Sequence, residues 1–84
     1  MNKSLIRLKR LEYRSGHRGC KETDLIFGAF SQKHLAALTA AQLAAYERLL
    51  DEDDANIWVW LTGKDIPQDY AQLIAMMTDF VPDA

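Results

Sequence analysis

The chain has 84 residues, 49% hydrophobic and 26% charged, with a net charge of −2; that length makes one domain with a modest core. A single cysteine, Cys20, excludes an intramolecular disulfide and suits a reducing compartment. No run approaches the ~20 apolar residues that span a bilayer, and residues 1–10 lack the apolar core and cleavage site of a signal peptide, so a mature cytoplasmic protein with no direct membrane insertion is expected.

Ser4 is placed to cap a first helix that runs to about Ser15. Leu5, Leu8 and Leu11 give it a narrow apolar stripe, with Arg7, Arg10 and Arg14 on the opposite side. Gly16 ends it. A second helix is expected over residues 20–30, with Glu22 and Asp24 in the first turn, where carboxylates favour the positive end of the helix dipole. Leu25, Ile26, Phe27, Ala29 and Phe30 would form its buried side. Gly28 weakens it by up to about 1 kcal/mol relative to alanine unless another backbone packs there. Residues 31–38 hold a short turn of helix, with His34 at or near the surface and without chemistry.

Thr39-Ala40-Ala41-Gln42 matches a capping box, a threonine cap with glutamine three residues on. It opens a third helix to about residue 50, with Leu43, Tyr46, Leu49 and Leu50 on one face. The acidic run Asp51-Glu52-Asp53-Asp54 lacks the ligand and glycine that a calcium loop would place after it, so it reads as a solvated linker that caps the next helix. Residues 55–61 form a short helix, apolar nearly all round, with Trp58 assigned to the core and Trp60 on a different face. Gly63 stops it. Ile66-Pro67 starts the last helix, since proline fits a first turn. There Tyr70, Leu73, Ile74, Met76, Met77, Phe80 and Val81 cover a continuous arc, with Gln72, Ala75 and Asp79 opposite. No stretch alternates with period two between turn signals. The fold class is therefore all-α: a small single-domain bundle of four or five short helices.

Charge is polarised along the chain. Residues 1–22 carry seven basic and two acidic side chains, a balance of +5, and residues 23–84 carry three and ten, a balance of −7. Such polarity orients a small protein toward a charged partner. Net acidity, and the lack of aromatics interleaved through the basic run, argue against nucleic acid as that partner.

The basic end closes in Tyr13-Arg14-Ser15-Gly16-His17-Arg18-Gly19-Cys20-Lys21-Glu22. Arg18 and Glu22 stand four apart, the spacing that pairs across one helical turn. Gly19 between them can take a positive φ or admit another backbone. Two readings follow: a docking point for another molecule, or an exposed ion pair worth about 0.3–0.5 kcal/mol with Gly19 serving a turn. Catalysis finds little support. His17 and Cys20 lie three apart across a helix break, and no third residue is placed to orient the imidazole. There is no phosphate-binding glycine loop, no zinc spacing and no carboxylate forced into an apolar setting. A binding or assistance protein without catalytic or metal-ligating residues is the physical expectation.

Arg18-Gly19-Cys20-Lys21-Glu22 resembles the RGxxE motif of the succinate dehydrogenase assembly factor 2 family, also called the FAD assembly factor SdhE family, in its alphaproteobacterial form. Tyr13-Arg14-Ser15, His17, Asp24-Leu25, Gly28 and Phe30 extend the likeness, as do Leu43, Tyr46, Leu49-Leu50, Asp54, Trp58, Trp60-Leu61 and Gly63. The resemblance implies a chaperone-like, non-catalytic factor. Its partner would be the flavoprotein subunit of succinate dehydrogenase, and in some bacteria of fumarate reductase. The factor would promote covalent attachment of FAD, through the flavin 8α-methyl group, to a histidine of that partner. FAD then belongs to the partner, with none bound stably here, and nothing requires more than a monomer. Arg18, Gly19 and Glu22 are the residues the resemblance places at the partner surface, with His17, Arg14 and Lys21 beside them. Two other readings stand next to it, a carrier of free FAD and an antitoxin or regulatory adaptor.

Overall fold

A computed structural model describes residues 3–81. Five α-helices follow one another: α1 (Lys3–Ser15), α2 (Lys21–His34), α3 (Ala40–Leu50), α4 (Asp54–Leu61) and α5 (Ala71–Met77). Short 3-10 turns occupy Leu35–Ala37, Gln68–Tyr70 and Thr78–Phe80. Among the described residues there is no strand, and the all-α bundle expected from the sequence forms. Nor is any helix among them long and apolar enough to cross a membrane.

α1 already includes Lys3, so Ser4 lies inside the helix and not at its cap. Of the leucine stripe, Leu11 is buried, Leu8 is half-buried and Leu5 stays exposed. α2 departs further from expectation. Its buried side is Thr23, Ile26, Phe27, Phe30 and Ser31, an i, i+3, i+4, i+7, i+8 stripe, while Leu25 and Ala29 face solvent. Two small polar residues can stand in that stripe because their hydroxyls are satisfied within the helix. Thr23 Oγ1 donates to the Cys20 carbonyl at 3.1 Å and Ser31 Oγ to the Gly28 carbonyl at 2.9 Å. α2 also runs four residues past the expected end, through His34.

The backbone approach that would justify Gly28 is present. A Cβ placed there would stand 3.9 Å from the Gly16 Cα, where α1 ends against the middle of α2. The core gathers around Tyr46 of α3, which is fully buried. Its ring lies 6.0 Å from that of Phe27 and 5.4 Å from that of Phe30. Its hydroxyl and Ser15 Oγ are 2.6 Å apart, and Ser15 Oγ donates to the Leu11 carbonyl at 2.7 Å. This small polar knot ties α1 to α3 inside an apolar cluster. Burial pushes the Tyr46 phenol up to about 12.

The capping box forms as expected: Gln42 N donates to Thr39 Oγ1 and Thr39 N to Gln42 Oε1, at 3.1 and 2.9 Å. α4 reverses the assignment of its tryptophans. Ile57, Trp60 and Leu61 are buried, and Trp58 is 41% exposed. Trp60 packs on Tyr70, ring centroids 5.5 Å apart. The last segment is broken into a 3-10 turn capped by Pro67, then α5, then a second 3-10 turn. Its arc is nevertheless the expected one. Tyr70, Leu73, Ile74 and Met77 are buried, Met76, Phe80 and Val81 are half-buried, and Gln72, Ala75 and Asp79 are exposed.

Candidate functional site

Residues 16–20 leave the helical path between α1 and α2. Gly16 and His17 close α1 through bonds from their N–H groups to the carbonyls of Tyr13 and Arg14. Gly19 takes φ +97°, a conformation that side chains with a Cβ rarely adopt, and turns the chain into the N-cap Cys20. Gly19 is exposed, and no atom lies within 4 Å of where its Cβ would be. The glycine therefore serves the turn and leaves open space above it.

Arg18 sits before the helix, so it cannot pair with Glu22 along one face of it. Its guanidinium turns inward. Nε donates to Asp54 Oδ1 at 2.8 Å, Nη1 to the Leu50 carbonyl at 2.7 Å and Nη2 to the Glu52 carbonyl at 2.8 Å. The side chain is 8% exposed and lies over the Phe27 ring, 4.8 Å from its centroid. Its own N–H donates to Asp24 Oδ1 at 2.5 Å. The fork thus satisfies carbonyls left over where α3 ends and holds the start of α4. The expected Arg18–Glu22 pair is replaced by an Arg18–Asp54 pair between distant parts of the chain.

Glu22 and Lys21 are exposed at the start of α2. Cys20 Sγ donates to Glu22 Oε2 at 3.3 Å. The backbone N–H of Glu22 itself, and then that thiol, hold the Glu22 carboxyl below the usual range. Cys20 is partly exposed, and the structure brings no imidazole to it. His17 instead stacks on Tyr13, ring centroids 3.9 Å apart and 10° from parallel, with Nδ1 2.7 Å from the Tyr13 carbonyl. Arg14 Nη2 donates to Asp51 Oδ1 at 2.6 Å across an exposed surface.

The six motif-end residues therefore separate into three settings. Gly19, Lys21 and Glu22 are each exposed, His17 and Arg14 are tied back to α1 and to Asp51, and Arg18 supports the turn from within. Sequence reasoning missed Asp54 and Asp24 as the groups that fix Arg18. It also missed Trp58, which lines an open pocket with Cys20, Glu22, Thr23, Asp54 and Ala55. The buried stripe of α4, Ile57-Trp60-Leu61 at i, i+3, i+4, was the signal that could have turned Trp58 outward. Glu52 and Tyr70 complete the frame of the acidic loop. Tyr70 Oη bonds Glu52 Oε2 at 2.8 Å, and burial, followed by that bond, raises the phenol above its ordinary value.

Among the described residues no group of three or more His, Cys, Asp or Glu side chains is arranged to hold a metal. What the arrangement offers is a charged turn held by the Arg18 hydrogen bonds, with an open recess beside it. No solved structure matches the chain. Curated relatives do. "Succinate dehydrogenase assembly factor 2, mitochondrial" of Meyerozyma guilliermondii is 47% identical over 53 residues, covering 63% of this chain and 39% of that protein. "Succinate dehydrogenase assembly factor 2-A, mitochondrial" of Drosophila erecta is 34% identical over 82 residues, covering 93% and 51%. "FAD assembly factor SdhE" of Acetobacter pasteurianus is 32% identical over 78 residues, covering 93% and 71%. The chain thus spans well under half of the yeast relative and about half of the fly one. The protein-family model described as flavinator of succinate dehydrogenase matches residues 9–81, from the middle of α1 to beyond α5. The chain belongs to that family.

Proposed function

We propose that this chain is an assembly factor that docks on the flavoprotein subunit of succinate dehydrogenase, and of fumarate reductase where a cell has one, and promotes covalent attachment of FAD to it. The observation that carries the reading is the family match over residues 9–81, which takes in the outward-facing turn. When bound to the partner, FAD would supply the 8α carbon that gives up a C–H proton as its bond to the partner's histidine forms, and a ring system that takes up the electron pair. This chain brings no catalytic group of its own. It holds the partner in one arrangement, so that less of the barrier is orientational entropy. Gly19, Lys21 and Glu22 meet the partner, Glu22 through charged hydrogen bonds, with His17 and Arg14 at the margin. Arg18 keeps the turn in shape.

The cofactor stays with the partner. Five of the eight aromatic side chains, Phe27, Phe30, Tyr46, Trp60 and Tyr70, are spent on the core, and the exposed Trp58 has no second exposed aromatic ring stacked against it among the described residues. The chain acts as a monomer, and its likeness to the Acetobacter protein over 93% of its length supports a bacterial cytoplasm. The test is reconstitution. Purified apo-flavoprotein subunit is incubated with FAD, with and without this chain, and covalent flavin is read by fluorescence of the denatured band. The expected result is a clear acceleration by the wild-type chain that Glu22→Ala abolishes, while FAD titrated into the chain alone shows no stoichiometric binding. Equal flavin with and without the chain would falsify the function. Tight FAD binding by the isolated chain would replace it with a carrier.

A further inference from the structure

The N-cap Cys20 and the first turn of α2 form one wall of an open groove whose other wall is the start of α4. Cys20, Glu22, Thr23, Asp54, Ala55 and Trp58 line it, around about 420 Å³. The core side of α4 is already filled by Ile57, Trp60 and Leu61, so the Trp58 indole, 41% exposed, is left toward solvent. Trp58 and Ala55 are the apolar part of that lining. Apolar groups in a concave surface favour contact with another molecule, and tryptophan is enriched among the residues that dominate such contacts.

The charges at the groove differ in kind. Asp54 is matched from within by Arg18. The Glu22 side chain meets its own backbone N–H and, at long range, the Cys20 thiol, and no ion pair to it forms among the described residues. Lys21 is its neighbour in sequence and is exposed. The rim therefore offers one carboxylate without a cation in contact, beside an exposed indole.

We propose that this groove, with Trp58 as its anchor, grips the flavoprotein partner: an apolar side chain of the partner seats against the indole while a cationic side chain meets Glu22. The assignment rests on the function proposed above. Continuity carries it, because Cys20 and Glu22 belong both to the Arg18–Glu22 motif and to the groove lining. A stable interface covers about 800 Å² on each side, far more than a five-residue turn presents. A partner surface that large, centred on Glu22, covers Trp58 as well.

The experiment uses the full chain labelled with 5-fluorotryptophan, whose two fluorine resonances are assigned with Trp58→Phe. Apo-flavoprotein subunit is added to saturation, as fixed by calorimetry with the wild type. The Trp58 resonance is expected to shift while that of Trp60 stays in place. Trp58→Ala is expected to weaken binding at least tenfold with an unchanged circular-dichroism spectrum. Glu22→Gln is expected to weaken binding and flatten its dependence on salt. A Trp58 resonance that does not move at saturation, or Trp58→Ala with wild-type affinity, overturns the groove and leaves the proposed function standing. A wild-type chain that neither binds the subunit nor speeds its flavinylation removes the function itself.

Discussion

At the scale of single residues, three arginines reach the acidic side of the molecule and differ mainly in how wet they are. Arg7 pairs with Glu47 at 45% and 37% side-chain exposure, Arg14 with Asp51 at 40% and 74%, and Arg18 with Asp54 at 8% and 32%. Solvent-exposed pairs are worth at most about 1 kcal/mol, whereas removing one partner of a desolvated pair costs about 3 kcal/mol or more. Arg18 also feeds the Leu50 and Glu52 carbonyls. Arg18→Ala should therefore lower the urea-unfolding free energy by about 3 kcal/mol, and Arg7→Ala or Arg14→Ala by less than 1 kcal/mol each. Arg18→Lys keeps the charge and loses the fork, so it should fall between them. Equal, small losses at all three positions would mean that Arg18 is no tighter than a surface ion pair. The motif itself was legible from spacing, but this role was not. Four residues apart suggested a helical pair, and only the positive φ at Gly19 takes Arg18 off the helix and points it at a carboxylate 36 positions away.

At the scale of elements, helix existence and most ends could be read from caps, glycines and apolar spacing, while the face each helix buries was harder. α5 and the Thr39 box were legible because one apolar arc and one cap left a single solution. In α2 the true stripe contains Thr23 and Ser31, so a reading by apolarity chose Leu25 instead. In α4 nearly every side is apolar, and tertiary packing against Tyr70 decided for Trp60. Gly28 shows how an element can be tuned without changing its face. A methyl group there meets Gly16 at ordinary van der Waals distance. Gly28→Ala should gain the helix-propensity difference of about 1 kcal/mol, seen as a higher melting temperature. Gly28→Leu cannot fit its branches against the α1 terminus and should melt lower than wild type. A lower melting temperature for the alanine variant would show that the two backbones tolerate no added atom.

At the scale of the whole molecule, the charge polarity of the sequence is partly cancelled by folding, since Arg7, Arg14 and Arg18 all meet carboxylates from the acidic stretch of residues 23–84. Helices α1, α2 and α3 converge at Tyr46, whose hydroxyl faces Ser15 of α1 and whose ring packs on Phe27 and Phe30 of α2. Its phenol is held up to about 12, against a usual value near 10. Between those values the unfolded chain gives up a proton that the native state keeps, so the unfolded side binds fewer protons and stability falls as pH rises. The stability is intact below about pH 10, and this group alone removes about 1.4 kcal/mol by pH 11. Tyr46→Phe eliminates the titration. It should cost about 1 kcal/mol at neutral pH for the lost hydrogen bond, with Ser15 still bonded to the Leu11 carbonyl. Urea midpoints of both proteins at pH 8 and pH 11 give the comparison. Every other ionisable group is common to the two proteins, so the wild type should lose about 1.4 kcal/mol more than the variant across that interval. Against a total stability of about 5–10 kcal/mol for a domain of this size, that difference is large enough to read. Parallel losses would place the alkaline weakness of the bundle somewhere other than the hydroxyl at its centre.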